Sequence, residues 1–221
     1  MKPSLLLITG WAHGPAAVQP LADAFSGIFN VQILTGSAVL GQRAIPDTDY
    51  IVTGSMGGLL AMELLPASCK KMVLISSTAR FCSAADYPCG TAEKVLRRMI
   101  AQLKRNPDAV LDEFFKNVHF PSRESRQAIV MRKNHPLELD ELVNGLEYLL
   151  HSDCRDRVAD IDIPVLLLHG TEDRIIPPAA SEWLHERLSA SELKIIGNGG
   201  HALPAHHYQE VLSSLRLFLA G

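Results

Sequence analysis

Long apolar runs are missing from this chain. Its longest uninterrupted apolar stretches are strand-sized pieces, too short to cross a bilayer, so no membrane-spanning segment is expected. Met1-Lys2-Pro3 runs straight into Ser4-Leu5-Leu6-Leu7-Ile8. A charge before a short apolar run imitates a secretory leader, but the run is brief and no convincing cleavage site follows, so it reads as a first strand. Cysteine is sparse and unpatterned. Cys69, Cys82, Cys89 and Cys154 contain no C-x-x-C pair, which argues against a disulfide frame and against zinc, and suits reduced thiols in a cytoplasmic protein. A strong charge excess is also absent. The net charge of −3 gives no reason to expect nucleic acid as a partner. There is no internal repeat and no low-complexity tract, and no metal or other cofactor is expected.

What is present is a chain of 221 residues, 47% hydrophobic and 20% charged. That is enough to bury a full core as one domain, or as one domain carrying an insertion. Ser4–Thr9, Val31–Leu34, Tyr50–Gly54, Lys71–Ser76, Ile163–Gly170 and Glu192–Ile196 read as strands. Helical spacing covers Ala16–Phe25, the stretch after Ser55, Ala179–Leu188 and His206–Leu219. Between Leu34 and Tyr50 lies a compact polar, glycine-containing connection. Strands alternating with helices predict an α/β architecture, a mostly parallel central sheet with helices on both faces. The rhythm breaks after Ser77. Thr91–Arg105, Asp108–Val118, Ser122–Lys133 and Leu137–His151 are all helical in spacing, punctuated by Pro107, Pro121 and Pro136. Residues 1–78 and 159–221 therefore form the expected core, and residues 79–158 a helical lid inserted in it.

The chain is organised around Tyr50–Leu65. An apolar strand meets Thr53-Gly54-Ser55-Met56-Gly57-Gly58, and a helix begins at once. A serine on such a strand-turn-helix is held clear of its neighbours, and the glycines let the backbones pass closely. Gly-Ser-Met-Gly-Gly also suits an ordinary tight turn. A serine hydroxyl needs a histidine to take its proton and a carboxylate to hold that histidine. In a parallel sheet these groups must sit at the carboxyl ends of strands. Asp173, after the strand ending at Gly170, and His201, after the strand ending at Ile196, both qualify. Glu172 is an alternative carboxylate. His206 and His207 lie close by and read as the solvated opening turn of the last helix. Oxyanion donors are expected from the backbone N–H of Met56 and from the Gly10-Trp11 loop. Trp11 also reads as a residue packing under the lid.

With these residues in view, the chain resembles the α/β-hydrolase family, and within it the pimeloyl-[acyl-carrier protein] methyl ester carboxylesterases of biotin synthesis. The resemblance rests on Leu5–Trp11, Gly54–Leu59, Ile75–Cys82, Leu146–Leu149 with Asp153 and Arg155, Pro164–Asp173 and Gly200-His201-Ala202. It implies the α/β-hydrolase fold, Ser55 as nucleophile, His201 as general base, Asp173 as orienting acid, and Trp11 and Met56 as oxyanion donors. It places an acyl-binding segment on Phe114-Phe115-Lys116-Asn117-Val118, which also reads as an amphipathic helix packing its phenylalanines inward. The substrate it implies is a small acyl ester, presented on acyl-carrier protein, with Arg123, Arg126 and Arg132 as candidate carrier contacts. Two alternatives stand beside it: a broad carboxylesterase acting on short free esters, and a catalytically silent ligand-binding protein of the same fold.

Overall fold

The computed structural model describes residues 2–126, 128–130 and 137–220. Six strands, β1 (Ser4–Ile8), β2 (Asn30–Leu34), β3 (Tyr50–Gly54), β4 (Lys71–Ile75), β5 (Val165–Gly170) and β6 (Ser191–Ile196), form one sheet. Their order is β2-β1-β3-β4-β5-β6, and every neighbouring pair is parallel. Parallel neighbours cannot be joined by a hairpin, so each connection must cross a face of the sheet. The first crossings are made by α1 (Gln19–Phe25), α2 (Gly36–Gln42) and α3 (Met56–Glu63). Between β4 and β5 come α4 (Glu93–Leu103), α5 (Pro107–Val118), α6 (Leu139–His151) and the short α7 (Arg155–Val158). The chain then adds α8 (Ala179–His185), α9 (Leu203–His206) and α10 (Tyr208–Ala220).

Side chains alternate along a strand, and the sheet therefore has two apolar faces. Leu5 and Leu7 of β1 join Leu21, Phe25, Val211 and Leu215 in one core, against α1 and α10. Leu6 and Ile8 point the other way, into a larger core with Val39, Leu59, Leu96, Leu146 and Leu184. Both faces are covered, as the alternation of strands and helices predicts.

Three local expectations change. The connection after β2 is not irregular: it contains α2, capped by the Thr35 hydroxyl accepting from Ala38 N at 3.1 Å. Its glycines hide the helical pattern, and the burial of Val39 against the core supplies what propensity does not. The last helix is broken, with α9 ending at His206 and α10 starting at Tyr208. His206 and His207 are therefore half-buried rather than solvated, and His206 Nε2 lies 2.8 Å from His119 Nδ1. Of the expected helix over Ser122–Lys133, residues 126 and 128–130 are helical, residues 122–125 are not, and residues 127 and 131–133 lie outside the described residues.

The segment Ser76–Cys82 and the pair Asp153 and Arg155 converge. Arg80 Nη1 donates to Asp153 Oδ2 at 2.7 Å, Arg155 Nη2 reaches the same oxygen at 2.8 Å, and Arg155 Nη1 meets Asp86 at 2.6 Å. Arg155 first, with Arg80 behind it, holds the Asp153 carboxyl down to about 2. This cluster ties the chain leaving β4 to the chain returning from α6. All four cysteines are free, and burial pushes the thiols of Cys69 and Cys154 up to about 11 and about 12.

Gly57 shows how tightly α3 approaches the sheet. A Cβ there would lie 2.2 Å from Thr53 Oγ1, 2.8 Å from Thr9 O and 3.0 Å from Ile8 O. Alanine is the better helix former, but here the overpacking outweighs the propensity gain. Gly57→Ala should lower stability by about 1–2 kcal/mol in urea unfolding, the reverse of its effect in an exposed helix.

Candidate active site

Ser55 follows the last residue of β3 and has φ 55° and ψ −126°. Few non-glycine residues adopt such a backbone, and the surroundings hold it there. Ser55 N–H donates to Ile75 O at 3.0 Å, extending the β3–β4 ladder, while Gly58 N–H donates to Ser55 O at 2.9 Å and starts α3. The strand thus turns into the helix within one residue, and the hydroxyl stands at the carboxyl edge of the sheet. The loop after β1 closes against it. A Cβ on Gly10 would come within 3.0 Å of Ser55 Cβ and 3.5 Å of Ser55 Oγ, so only glycine leaves the hydroxyl uncrowded. Among the described residues, neither the Trp11 N–H nor the Met56 N–H is taken by a backbone acceptor. The loop is shaped by its own polar groups, with Thr9 Oγ1 donating to His13 O at 2.7 Å and His13 Nδ1 donating to Trp11 O at 2.8 Å.

Two strand ends further along, Asp173 and His201 meet. His201 Nδ1–H donates to Asp173 Oδ2 at 2.7 Å, and both residues are buried. Asp173 Oδ1 accepts from Ile175 N at 2.8 Å and Ile176 N at 3.0 Å, which fixes the plane of the carboxylate. Burial alone would push this carboxyl up. The charge of His201 and the hydrogen bonds of His169 and His201 outweigh it and hold Asp173 well below the usual carboxylate range. With Nδ1 as donor, His201 Nε2 is left as the basic nitrogen. Glu172, the alternative carboxylate, is exposed, and its backbone N–H donates to Gly199 O at 2.8 Å. The sequence shows the two acids side by side. Only the turn decides which one faces the histidine.

The loop bearing His201 is seated by contacts that sequence reasoning missed. Ser76 follows the last residue of β4 and donates from Oγ to His201 O at 3.2 Å, while Ala202 N–H donates to Val118 O at 3.1 Å. Gly170 packs so closely on this loop that a Cβ would lie 2.2 Å from Gly199 O. Ser76 also has positive φ, 47°, a strain at the strand end next to Ser55 that no sequence pattern announces. No hydrogen bond joins the Ser55 hydroxyl to the His201 ring in this structure; such pairs are often long without substrate and tighten in the complex.

A cavity of about 640 Å³ opens beside Ser55. Trp11, Phe81, Val95, Leu96, Met99, Val110, Phe114, Leu146 and Leu149 give it an apolar wall, and Arg98, Arg105 and Arg174 bring positive charge. Of the expected acyl-binding segment, Phe114 and Asn117 line this cavity and the other three do not. Phe115 and Val118 are buried in packing, and Lys116 is exposed beside Glu113 at 3.2 Å. The reason is helical geometry, since consecutive residues of α5 cannot share one face. Arg123 and Arg126 are exposed and stand outside the cavity wall, and Arg132 lies outside the described residues. Among the described residues, no group of three or more His, Cys, Asp or Glu side chains is arranged to hold a metal ion, and no helix is long and apolar enough to cross a membrane.

A serine set on a strained turn between β3 and α3, with a histidine and a carboxylate on later strand ends, is the arrangement of an α/β-hydrolase. The model of the serine aminopeptidase S33 family matches residues 41–206, and the chain belongs to the α/β-hydrolase family. It is a carboxylic ester hydrolase. Among its relatives, the pimeloyl-[acyl-carrier protein] methyl ester esterase of Nitrosomonas europaea is 28% identical, over 90% of this chain and 89% of that protein. The enzyme of the same name from Neisseria meningitidis serogroup C is 30% identical over 79% of this chain and 71% of its own. Two solved structures share the fold: an esterase from Exiguobacterium antarcticum (TM-score 0.85, 17% identity, 99% and 92% covered) and a bromoperoxidase from Bacillus anthracis (TM-score 0.86, 19% identity, 100% and 93% covered).

Trp11 links the site to the helices above it. Its indole N–H donates to Leu142 O of α6 at 2.8 Å, and its ring meets Phe114 edge-on at 4.7 Å between centroids. The indole nitrogen is therefore occupied. Trp11→Phe should cost about 1–2 kcal/mol in urea unfolding, from one buried hydrogen bond and part of a ring, with the sheet unchanged by far-ultraviolet circular dichroism.

Proposed function

We propose that this enzyme is a serine carboxylesterase that hydrolyses the methyl ester of pimeloyl-acyl-carrier protein through an acyl-enzyme, a step of biotin synthesis in the cytoplasm. The observation that carries the reading is Ser55, forced into a left-handed turn in the wall of a largely apolar cavity, on the same sheet edge as the buried His201–Asp173 pair.

In this mechanism Ser55 Oγ attacks the ester carbonyl carbon while His201 Nε2 takes the hydroxyl proton. Asp173 keeps the ring in the required tautomer and stabilises the imidazolium. The carbonyl oxygen gains charge in the tetrahedral intermediate, and the backbone N–H groups of Trp11 and Met56 receive it. His201 then returns the proton to the departing methoxy oxygen, and methanol leaves. Water enters, gives a proton to His201 and attacks the acyl carbon, and the proton returns to Ser55 Oγ as the carboxylate is released.

The substrate assignment is supported by the names of the relatives and by the cavity. A volume of about 640 Å³ suits an extended aliphatic chain, with Trp11, Phe114 and Leu146 against its methylenes. Residues 79–158 act as a lid over the core formed by residues 1–78 and 159–221, and Trp11 ties the two at Leu142. Arg98 on α4 and Arg105 in the turn that follows it, with Arg123 and Arg126 beyond α5, give an acidic carrier a basic approach. The four free thiols support a cytoplasmic setting.

Ser55→Ala and His201→Ala should each remove nearly all ester hydrolysis, by about 10³-fold or more, with unfolding curves close to the parent. Retained turnover in purified Ser55→Ala, or no covalent labelling of the parent by a fluorophosphonate, rejects the mechanism. Turnover of the methyl ester of pimeloyl-carrier should exceed that of dimethyl pimelate, and the preference should shrink as salt is raised. Equal turnover of both at every salt concentration would instead point to an esterase of free esters.

A further inference from the structure

Asp173 touches a second imidazole that the mechanism leaves unused. His169 lies near the end of β5 and is completely buried. Its Nε2 is 2.9 Å from Ile176 O and 3.2 Å from Asp173 Oδ2, and its Nδ1 is 2.6 Å from Ser181 Oγ on α8. Both neighbours of Nε2 can only accept, so Nε2 carries the proton; it donates to Ile176 O, and the same positive edge of the ring lies against Asp173 Oδ2. In a neutral ring Nδ1 is then an acceptor, and the buried Ser181 hydroxyl donates to it. Ser181 thus fixes His169 with its N–H edge beside the same Asp173 oxygen that accepts from His201.

Three titratable groups meet in this pocket: Asp173, His169 and His201. Ser181 arrives from α8, and Glu172 and Arg174, on the same loop as Asp173, are exposed. A buried histidine costs desolvation that an apolar residue at a strand end would not. Its return here is a positive ring edge fixed 3.2 Å from the acid. That edge holds Oδ2 in line with His201 and offsets part of the carboxylate charge, so less is left to stabilise the His201 imidazolium. We infer that His169 is a positioning residue for ester hydrolysis, locked by Ser181, that aligns Asp173 on His201. This rests on the proposed Ser55–His201–Asp173 mechanism.

The test is the acid limb of the kcat/KM profile on p-nitrophenyl butyrate, with folding checked by thermal unfolding. In His169→Leu the limb should move to higher pH by about one unit, together with a fall in kcat. In His169→Gln, whose side-chain amide nitrogen can occupy the place of Nε2, the limb should return towards the parent position. A packing role alone would lower activity without moving the limb. An acid limb in His169→Leu that superimposes on the parent, or one shifted equally in His169→Gln, overturns the inference. If His169→Leu does not fold, Ser181→Ala decides: an upward shift supports the locked tautomer and an unmoved limb overturns it. Ser55→Ala assayed alongside separates the two levels, since turnover there removes the mechanism itself, whereas an unmoved limb with inactive Ser55→Ala removes only the role of His169.

Discussion

A carboxylate taken out of water must be met by donors, and the architecture of this site follows from how Asp173 meets that demand. Its two oxygens face four donors: His201 Nδ1, His169 Nε2 and the backbone N–H groups of Ile175 and Ile176. Two are supplied by the turn after β5, one by the strand itself and one by the loop after β6. Losing any one leaves part of a buried charge unpaired, which costs far more than the bond is worth in water. The carboxylate is thus a fixed point to which His201 is tied from one side and β5 from the other.

The opposite half of the site is built by close approach rather than by charge. Gly10, Gly57 and Gly58 each stand where a Cβ would meet backbone or side-chain atoms, so β1, β3 and α3 pack at distances that other residues forbid. That proximity turns Ser55 outward at φ 55° and keeps the loop carrying Trp11 against it. Above, α4, α5 and α6 roof the cavity. Leu96, Ile100, Leu142, Leu146 and Leu149 join them to the larger core, and the Trp11–Leu142 hydrogen bond and the edge-on Trp11–Phe114 pair tie them to the loop after β1.

Much of this was legible in the order of residues. The six strands and the longer helices follow from periodicity, because a half-buried helix and a buried strand repeat their apolar residues at different spacings. Ser55, Asp173 and His201 could be picked out because each follows a recognisable strand, and in a parallel sheet those positions share one edge. The misses have physical causes. The helix Gly36–Gln42 is glycine-rich and is stabilised by packing of Val39, a tertiary term absent from local propensity. The resemblance places an acyl-binding segment on residues 114–118, but a helix turns adjacent residues away from one another, and of these Phe114 and Asn117 line the cavity. His206 and His207 were read as solvated because the break between α9 and α10 has no strong local signal.

By itself, then, the sequence determined the sheet, the serine turn and the edge on which the chemistry collects, since these depend on short-range pattern and on the geometry of parallel strands. It could not choose Asp173 over its neighbour Glu172, nor reveal that Ser76 reaches the His201 loop and that His169 lies against Asp173. Those choices were made when residues far apart in the chain were brought within hydrogen-bonding distance, where burial strips away water and leaves each polar group only the partners that the fold supplies.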